Sequence, residues 1–167
     1  DLSALVTYVD GQEAEKVLAN LSNESYDNQD AWTAYRIGQA YDGIKNWSLA
    51  EAFYQRAVNL ASEELDFQNK LALIWFKQNK IELAEAGFLN LLGSFDRHQE
   101  GLNNLAYLYL RQGNLQQADL YLKRVLKFRP DYELAWLNRA NFALQKEDAV
   151  LLKASLLEVV RINPENQ

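Results

Sequence analysis

Between Gly101 and Pro130, apolar residues recur every three or four positions, which is the pattern of an amphipathic helix. The pattern predicts two helices, Leu102 to Arg111 and Leu115 to Phe128, joined by a Gly-Asn turn. The apolar positions are Leu102, Leu105, Ala106 and Tyr109 in the first helix, and Leu115, Ala118, Leu122, Val125 and Leu126 in the second. A single pair of this kind cannot bury both apolar faces, so neighbouring pairs are expected to cover them.

The chain supplies such neighbours, because the same pattern returns every 34 residues. Four consecutive blocks begin at Ala31, Leu65, Gln99 and Glu133. The eighth position of each block is small: Gly38, Ala72, Ala106 and Ala140. The twentieth is Ala50, Ala84, Ala118 and Leu152, and the twenty-fourth is Tyr54, Phe88, Leu122 and Leu156. The small residues stand where two helix backbones must approach closely, and the large ones are predicted to fill the space between helices.

This arrangement resembles the tetratricopeptide repeat, whose 34-residue signature is W-x2-L-G-x2-Y, then A-x3-F, then P. The resemblance covers Ala31 to Gln167 and implies an all-α fold, a right-handed superhelical solenoid of antiparallel helix pairs. It predicts one solenoid domain with repeats at 31–64, 65–98, 99–132 and 133–167, preceded at 1–28 by a divergent helical pair or cap. An unrelated helical bundle with accidental spacing is the alternative.

Capping and packing residues can be read from the same alignment. Asp30 is predicted to be the N-cap of the first helix, and the Ser48-Leu-Ala-Glu51 sequence is predicted to be a capping box. Arg139 departs from the family pattern, because it occupies a position where the family has a buried leucine. Aromatic residues at packing positions are expected in the core: Trp75, Phe88, Tyr109 and Trp136.

The composition disfavours several classes of function. Apolar residues make up 49% of the chain and charged residues 24%, which is typical of a globular protein. The net charge of -6 argues against a nucleic-acid partner, which would require a clustered Lys/Arg face. No apolar run approaches the length of a membrane-spanning helix, so membrane insertion is not expected.

The absence of cysteine rules out disulfides and thiolate metal sites. A chain without cysteine is compatible with either the cytoplasm or the periplasm, so the compartment stays open. Because the chain begins at Asp1 without a methionine and without a visible signal peptide, we interpret it as a fragment or processed form of a longer protein.

The sequence contains few of the side-chain arrangements that catalysis requires. His98 is the only histidine, and we interpret it as a residue of a surface loop. Ser94 and Asp96 lie near it, but their order matches no nucleophile–base arrangement. A zinc site would need further His or Cys ligands. We therefore expect no enzyme activity, no cofactor and no metal in this segment.

The family resemblance implies a candidate binding site. In tetratricopeptide repeats the first helix of each block lines a concave groove that holds an extended peptide or a partner helix. The resemblance places positions 2, 5, 6 and 9 of each block in this groove. The predicted peptide-binding residues are Trp32, Tyr35, Arg36, Gln39, Asn69, Lys70, Asn103, Asn104, Tyr107, Asn138 and Asn141.

The residue types suggest how such a groove would bind. The Lys/Asn/Arg clamp by which some family members bind a C-terminal carboxylate is absent. Asn104 and Asn138 could pair with a peptide backbone through their amides. Arg36 and Lys70 would meet an acidic or polar group, flanked by an aromatic platform of Trp32 and Tyr35. The alternative is an ordinary solvated wall, in which Asp66 and Glu100 neutralise the two cations.

Three functions remain open at this stage. The first is a protein–protein interaction scaffold that binds its partner in the groove. The second is a non-catalytic regulatory or substrate-presenting part of a larger enzyme. The third is a self-associating module, because Val150 to Ile162 is apolar over more than one helical face and is predicted to be covered by another helix or a second copy.

Overall fold

The computed structural model describes residues 30–165, so the helical pair predicted at 1–28 lies outside the described residues. Within 30–165 the chain forms eight α-helices and no β-strand. These are α1 Ala31–Gly43, α2 Trp47–Leu60, α3 Leu65–Lys77, α4 Ile81–Ser94, α5 Gln99–Arg111, α6 Leu115–Phe128, α7 Glu133–Gln145 and α8 Ala149–Ile162. In this range no helix combines the length and the apolarity that crossing a bilayer requires.

The turns inside the helix pairs share one backbone conformation. Lys45, Asn79, Gly113 and Glu147 all have positive φ values, of 60°, 62°, 72° and 56° respectively. Each precedes the second helix of a pair by two residues, and they lie 34 residues apart. Only Gly113 is a glycine, so three side chains occupy a left-handed conformation that costs about 1–2 kcal/mol per residue. The turn geometry therefore repeats even where the glycine signal is missing.

The helix caps confirm one prediction and correct another. Asp30 is the N-cap of α1, and its carboxylate accepts hydrogen bonds from the backbone N–H groups of Trp32 and Thr33 at 3.3 and 2.9 Å. The capping box predicted at Ser48 is wrong. The helix begins earlier, because Asn46 is the N-cap and its Oδ1 accepts a hydrogen bond from the backbone N–H of Leu49.

His98 is buried, so its interpretation as a surface-loop residue is wrong. It is the N-cap of α5, and its Nδ1 accepts a hydrogen bond of 3.0 Å from the backbone N–H of Gly101. A side chain at Gly101 would bring a Cβ within 2.6 Å of Leu91 Cδ2 and 3.2 Å of His98 Nδ1. The histidine therefore has a structural role at a crowded helix start.

The chain divides into two compact units, Asp1–Gly87 and Phe88–Gln167. The core of the first unit is built around Tyr54 and Phe67, both fully buried, with Ala50 and Ala57 packed among them. In the second unit Ala106 and Ala118 are fully buried, as their size predicts, together with Leu105, Leu122 and Val125. Small residues on facing helices allow the backbones to approach, and larger neighbours fill the remaining space.

The aromatic core prediction holds for two residues of four. Phe88 and Tyr109 are buried. Trp75 and Trp136 are only half-buried, because each indole N–H reaches a polar acceptor. Trp75 Nε1 donates to Glu51 Oε1 at 2.8 Å, and Trp136 Nε1 donates to the carbonyl of Pro130 at 2.8 Å.

Arg139 shows how the chain accommodates a cation at a packing position. Its side chain is 18% exposed and lies 3.7 Å from the carboxylate of Asp119 on α6. Asp119 also pairs with Lys123 one turn further along the same helix, at 2.6 Å. A largely buried charge needs a partner, and Asp119 supplies it.

Helix α8 leaves much of its apolar surface uncovered by the described residues. Val150 is 82% exposed, Leu156 45% and Leu157 59%. Of this helix only Ser155 and Val159 are buried. The prediction that residues 150–162 meet another helix or a second copy stays a prediction, and the exposed face is consistent with it.

Candidate peptide-binding faces

An aromatic corner marks the face of α1 and α3 in the first unit. The ring of Tyr35 stacks on Phe67 with a centroid distance of 4.7 Å. The indole of Trp32 meets Phe67 edge-on at 4.8 Å and Tyr35 at 5.7 Å. Trp32 nevertheless remains 47% exposed, whereas Phe67 is fully buried. The corner therefore holds a large apolar ring at the surface in a fixed orientation, which is the kind of residue that anchors protein interfaces.

A cleft of about 320 Å³ lies on the same unit. It is lined by Gln39, Asp42, Gly43, Tyr54, Lys70 and Lys77. Two of the predicted binding residues, Gln39 and Lys70, are thus brought together, although they lie on different helices. A larger hollow of about 840 Å³ is formed by the turn residues 44–48 and 77–79, but none of the predicted binding residues lines it.

The charges around this cleft are only partly neutralised. Lys77 Nζ donates to both carboxylate oxygens of Asp42, at 2.5 and 2.8 Å. Arg36 and Lys70 form no salt bridge with any residue in the range 30–165. The solvated-wall alternative requires Asp66 and Glu100 to neutralise these two cations. Glu100 instead accepts a hydrogen bond from Gln99. Neutralisation of Arg36 and Lys70 by direct ion pairs is therefore not seen in the described part of the chain.

In the second unit, two of the predicted asparagines bind each other. Asn138 Nδ2 on α7 donates to Asn103 Oδ1 on α5 at 2.8 Å. Asn141 accepts a hydrogen bond from Gln145 at 3.2 Å, and Gln145 also donates to the carbonyl of Leu110. Tyr107 and Asn104 are half-buried on α5. The amides are therefore held in place by side-chain contacts between neighbouring first helices.

Three of the predicted binding residues are buried, which corrects their assignment to an open surface. Tyr35 is 9% exposed, and Asn69 and Asn103 are each 5% exposed. All three stand at position 5 of their blocks, where the side chain turns toward the neighbouring helix. In this structure they support the faces rather than form them. The other predicted residues, Trp32, Arg36, Gln39, Lys70, Asn104, Tyr107, Asn138 and Asn141, are exposed or half-buried.

Two residues important for these faces were not found as binding candidates from the sequence. Phe67 supports Trp32, and Tyr54 lines the cleft beside Lys70. The only available signal for Tyr54 was its position opposite Gly38, which the repeat alignment interprets as packing. No sequence signal reports that Phe67 faces Trp32, because the two residues meet only when helices from different blocks lie side by side.

Glu51 joins α2 to the end of α3 and the turn that follows it, instead of closing a capping box. Its carboxylate accepts hydrogen bonds from three donors, Trp75, Gln78 and Lys80, at 2.8, 2.9 and 2.7 Å. Gln78 also donates to the carbonyl of Trp47 at 2.9 Å. Burial raises the pKa of Glu51, but hydrogen bonds from Lys80, Gln78 and Trp75 outweigh it and hold the pKa below its ordinary value of 4.5. The folded state therefore favours the charged carboxylate.

Replacing Glu51 with glutamine is expected to destabilise the protein by about 1 kcal/mol at pH 7, because one charged acceptor of several hydrogen bonds is lost. A carboxyl group whose pKa is lowered by folding stabilises fully above 4.5 and loses this contribution as the pH falls through the folded pKa. The variant should therefore show a flatter loss of stability below pH 4.5 in urea denaturation. Glu82→Gln, on the exposed surface of α4, is the matched control; equal acid sensitivity of Glu51→Gln and the wild type would contradict the expectation.

No group of three His, Cys, Asp or Glu side chains within residues 30–165 is arranged to hold a metal ion. The faces described above are instead built from an aromatic ring, amides and cations.

The fold defines a class of protein, one built from antiparallel helix pairs that repeat every 34 residues. Residues 33–64 and 99–132 match the family model described as "Tetratricopeptide repeat". These two segments are therefore similar to tetratricopeptide repeats, and the all-α, tetratricopeptide-like fold class of the chain is confirmed. Among curated proteins, none shows significant sequence similarity to the chain.

Solved structures of the same fold support this assignment. TTC0263, a thermophilic TPR protein of Thermus thermophilus, superposes with a TM-score of 0.75 at 20% identity, over 81% of this chain and 75% of that one. PilW, a type IV pilus biogenesis factor, gives 0.78 at 16% identity, over 91% and 71%. YrrB, a TPR protein with an unusual peptide-binding site, gives 0.66 at 19% identity, over 92% and 80%. These similarities establish the fold.

Proposed function

We propose that this chain is a protein-interaction scaffold that binds an extended peptide or a partner helix on the faces formed by the first helices of its repeats. The fold itself is that of a protein–protein interaction scaffold, and tetratricopeptide-repeat proteins are generally non-catalytic. The observation that carries the finer proposal is the half-exposed Trp32, which Phe67 and Tyr35 fix at the surface one helical turn from Arg36. A solvated wall has no need to hold an indole in this way.

The two faces would contribute differently to binding. In the first unit, Trp32 offers apolar area, and Arg36 and Lys70 offer positive charge. In the second unit, Asn104 and Asn138 offer amide groups for a peptide backbone. Leu134 and Leu137, which are 52% and 40% exposed on α7, add apolar surface beside them. Acidic and apolar side chains of a partner would suit the face of the first unit, and a peptide backbone would suit the face of the second. The one histidine caps a helix, which supports a binding role over a catalytic one.

The test is selection of binders from a displayed pool of random dodecapeptides, followed by affinity measurements on the selected sequences. Trp32→Ala is expected to weaken binding by at least about 10-fold, because truncating an interface anchor costs about 2 kcal/mol or more. The double variant Asn104→Ala/Asn138→Ala should also weaken it, because backbone hydrogen bonds are lost. Leu60→Ala removes a 43% exposed apolar residue from α2 and serves as the matched control.

Retention of full affinity by both Trp32→Ala and Asn104→Ala/Asn138→Ala would rule out these faces as the binding surface. Light scattering on the same samples would detect self-association through residues 150–162. A stable dimer whose peptide affinity is nil would favour the self-associating module over the peptide-binding scaffold.

A further inference from the structure

A basic cleft of about 360 Å³ lies in the second unit, between the turn that follows α4 and the second half of α6. It is lined by Asp96, Arg97, Arg124, Lys127 and Phe128. None of these residues belongs to the faces proposed for peptide binding. Three of them are cations and one is an acid, so the lining has two positive charges in excess, in a chain whose net charge is -6.

Arg124 is held in position by two contacts. Its Nη2 donates a hydrogen bond of 3.1 Å to the backbone carbonyl of Asp96, which joins α6 to the turn after α4. Its guanidinium carbon lies 5.5 Å from the centre of the Tyr121 ring, which is buried one turn earlier on α6. A guanidinium group has several N–H donors, and the carbonyl occupies one nitrogen only. The remaining donors are therefore oriented in advance for a ligand.

The charges of the other cations in the cleft are not neutralised by the protein. Arg97 and Lys127 are exposed, and neither forms a salt bridge with any residue in the range 30–165. Lys127 stands one turn after Arg124 on α6, so the two side chains share one side of the helix. Like charges placed together in this way repel each other, and an anion bound between them would relieve the repulsion.

The turn that carries Arg97 differs in charge from the corresponding turns of the repeat. Arg97 stands at position 33 of its block. The other three blocks have an acid at this position: Glu63, Asp131 and Glu165. The repeat therefore does not need a cation here in order to fold, and the reversed charge is specific to this turn.

Helix α6 differs from the other second helices in the same direction. Arg124 and Lys127 stand at positions 26 and 29 of their block. Each other block has at most one cation at these two positions: Arg56 with Asn59, Asn90 with Gly93, and Glu158 with Arg161. In the last of these blocks the cation is paired, since Arg161 Nε lies 2.8 Å from Glu158 Oε2. The combination of three cations is therefore confined to one place in the repeat.

We infer that the cleft of Arg97, Arg124 and Lys127 binds a phosphate monoester group. Such a group carries a charge of about −1.5 to −2 at neutral pH and several strong acceptor oxygens. Its charge matches the two positive charges in excess, and its oxygens match the planar donor fork of an arginine. Phe128 offers an apolar contact to the carbon group that the phosphate esterifies. The ester is a small phosphorylated molecule or a phosphorylated side chain of a partner protein.

Other anions fit the cleft less well. A carboxylate carries a single charge and would leave part of the positive charge uncompensated. A phosphodiester group, as in nucleic acids and most phospholipids, also carries a single charge. A long polyanion would in addition be repelled by a chain whose net charge is -6. These anions are the competitors that the experiment must separate from a monoester.

The experiment is a calorimetric titration with phenyl phosphate at constant ionic strength and about pH 7.5, with the contact located by the guanidinium N–H resonances of Arg97 and Arg124. We expect saturable binding, and at least about 10-fold weaker binding of acetate and dimethyl phosphate. Arg97→Gln and Arg124→Lys should each weaken phenyl phosphate binding by about 10-fold, the usual cost of a lost charge-assisted hydrogen bond. Lys153→Gln removes one charge from the exposed surface of α8 and is the matched control.

The two variants separate binding from folding and from simple charge attraction. Arg97→Gln removes no salt bridge to the described residues, so its melting temperature should equal that of the wild type, and a clear fall would indicate a structural role and contradict the inference. Arg124→Lys keeps the charge and loses the planar fork. Full affinity in both variants would place the phosphate elsewhere. Equal binding of acetate, dimethyl phosphate and phenyl phosphate, or no saturable binding, would show that only a general attraction for anions exists.

The two sources of the monoester can be separated with dodecapeptides that carry a fixed central phosphoserine in random sequence. Selected peptides that bind at least about 10-fold more tightly than phenyl phosphate, and that lose this affinity in Arg97→Gln, identify a phosphorylated partner protein. Selected peptides that bind no better than phenyl phosphate identify a small phosphorylated molecule. The cleft is separate from the faces proposed for peptide binding, so its failure in these tests would leave the scaffold proposal standing.

Discussion

Replacing Phe67 with alanine is expected to lower the free energy of unfolding by about 3–5 kcal/mol, the usual cost of removing a fully buried phenyl ring. Phe67 is 0% exposed and lies in the core of the first unit, where Tyr35 stacks on it. The loss is expected because the ring contributes both buried apolar area and the contacts that its neighbours make with it. Urea denaturation followed by far-UV circular dichroism measures the effect.

The same substitution should release Trp32, because Phe67 is one of the two rings that hold the indole. A shift of the Trp32 indole N–H resonance toward the position of a solvated tryptophan would report this at temperatures where the fold persists. Phe67→Leu is the matched control, since it keeps most of the volume and should cost less than about 1.5 kcal/mol. A loss below about 1.5 kcal/mol for Phe67→Ala itself would contradict the core assignment.

Replacing Gly38 with valine is expected to destabilise the protein by about 3 kcal/mol, at the upper end of the usual cost of overpacking a core. Even a Cβ at this position would lie 2.8 Å from two ring atoms of Tyr54. Tyr54 is fully buried and cannot move aside without displacing other core residues. Valine is a better helix former than glycine, but this gain is only a few tenths of a kcal/mol. The melting temperature and the urea midpoint should therefore both fall.

The physical cause can be tested with a double substitution. The third block pairs Ala106 with Leu122 at the positions that Gly38 and Tyr54 occupy in the first block. Gly38→Ala should therefore be tolerated better when Tyr54 is also changed to leucine than when Tyr54 is kept. Additive effects of the two substitutions would show that the ring is not what excludes a side chain at Gly38.

Much of the fold follows from the sequence because the apolar and small residues recur with a constant 34-residue period. The predicted second helix, Leu115 to Phe128, agrees with α6 at both ends. The first helix of that pair begins three residues earlier than predicted, at Gln99, because His98 serves as its cap. Histidine is not among the usual N-cap residues, so the signal for this boundary is weak. The error at Ser48 has a different origin, since a capping-box sequence is present there, but Asn46, itself a preferred N-cap residue, begins the helix two residues earlier.

The candidate site was predictable only in part. Repeat position separates Trp32, Lys70 and Asn138 from the core, and all three are at least partly exposed. Position alone does not reveal that Asn103 is buried and holds Asn138, since the two residues are 35 apart in the chain. It likewise does not reveal that Glu51 accepts the indole N–H of Trp75 across 24 residues. Such pairs depend on which side chains face each other once the helices have packed.

The sequence by itself determined that this chain forms helix pairs with a 34-residue period, because apolar spacing and small residues act through the local geometry of each helix. Tertiary structure alone decided which polar groups are buried and what they contact. The contact of Phe67 with Trp32, the cap that His98 forms at a helix start and the packing of the Tyr54 ring on Gly38 all result from helices brought together. Local periodicity specifies which face of a helix is apolar, but the partner of each side chain is fixed only by packing.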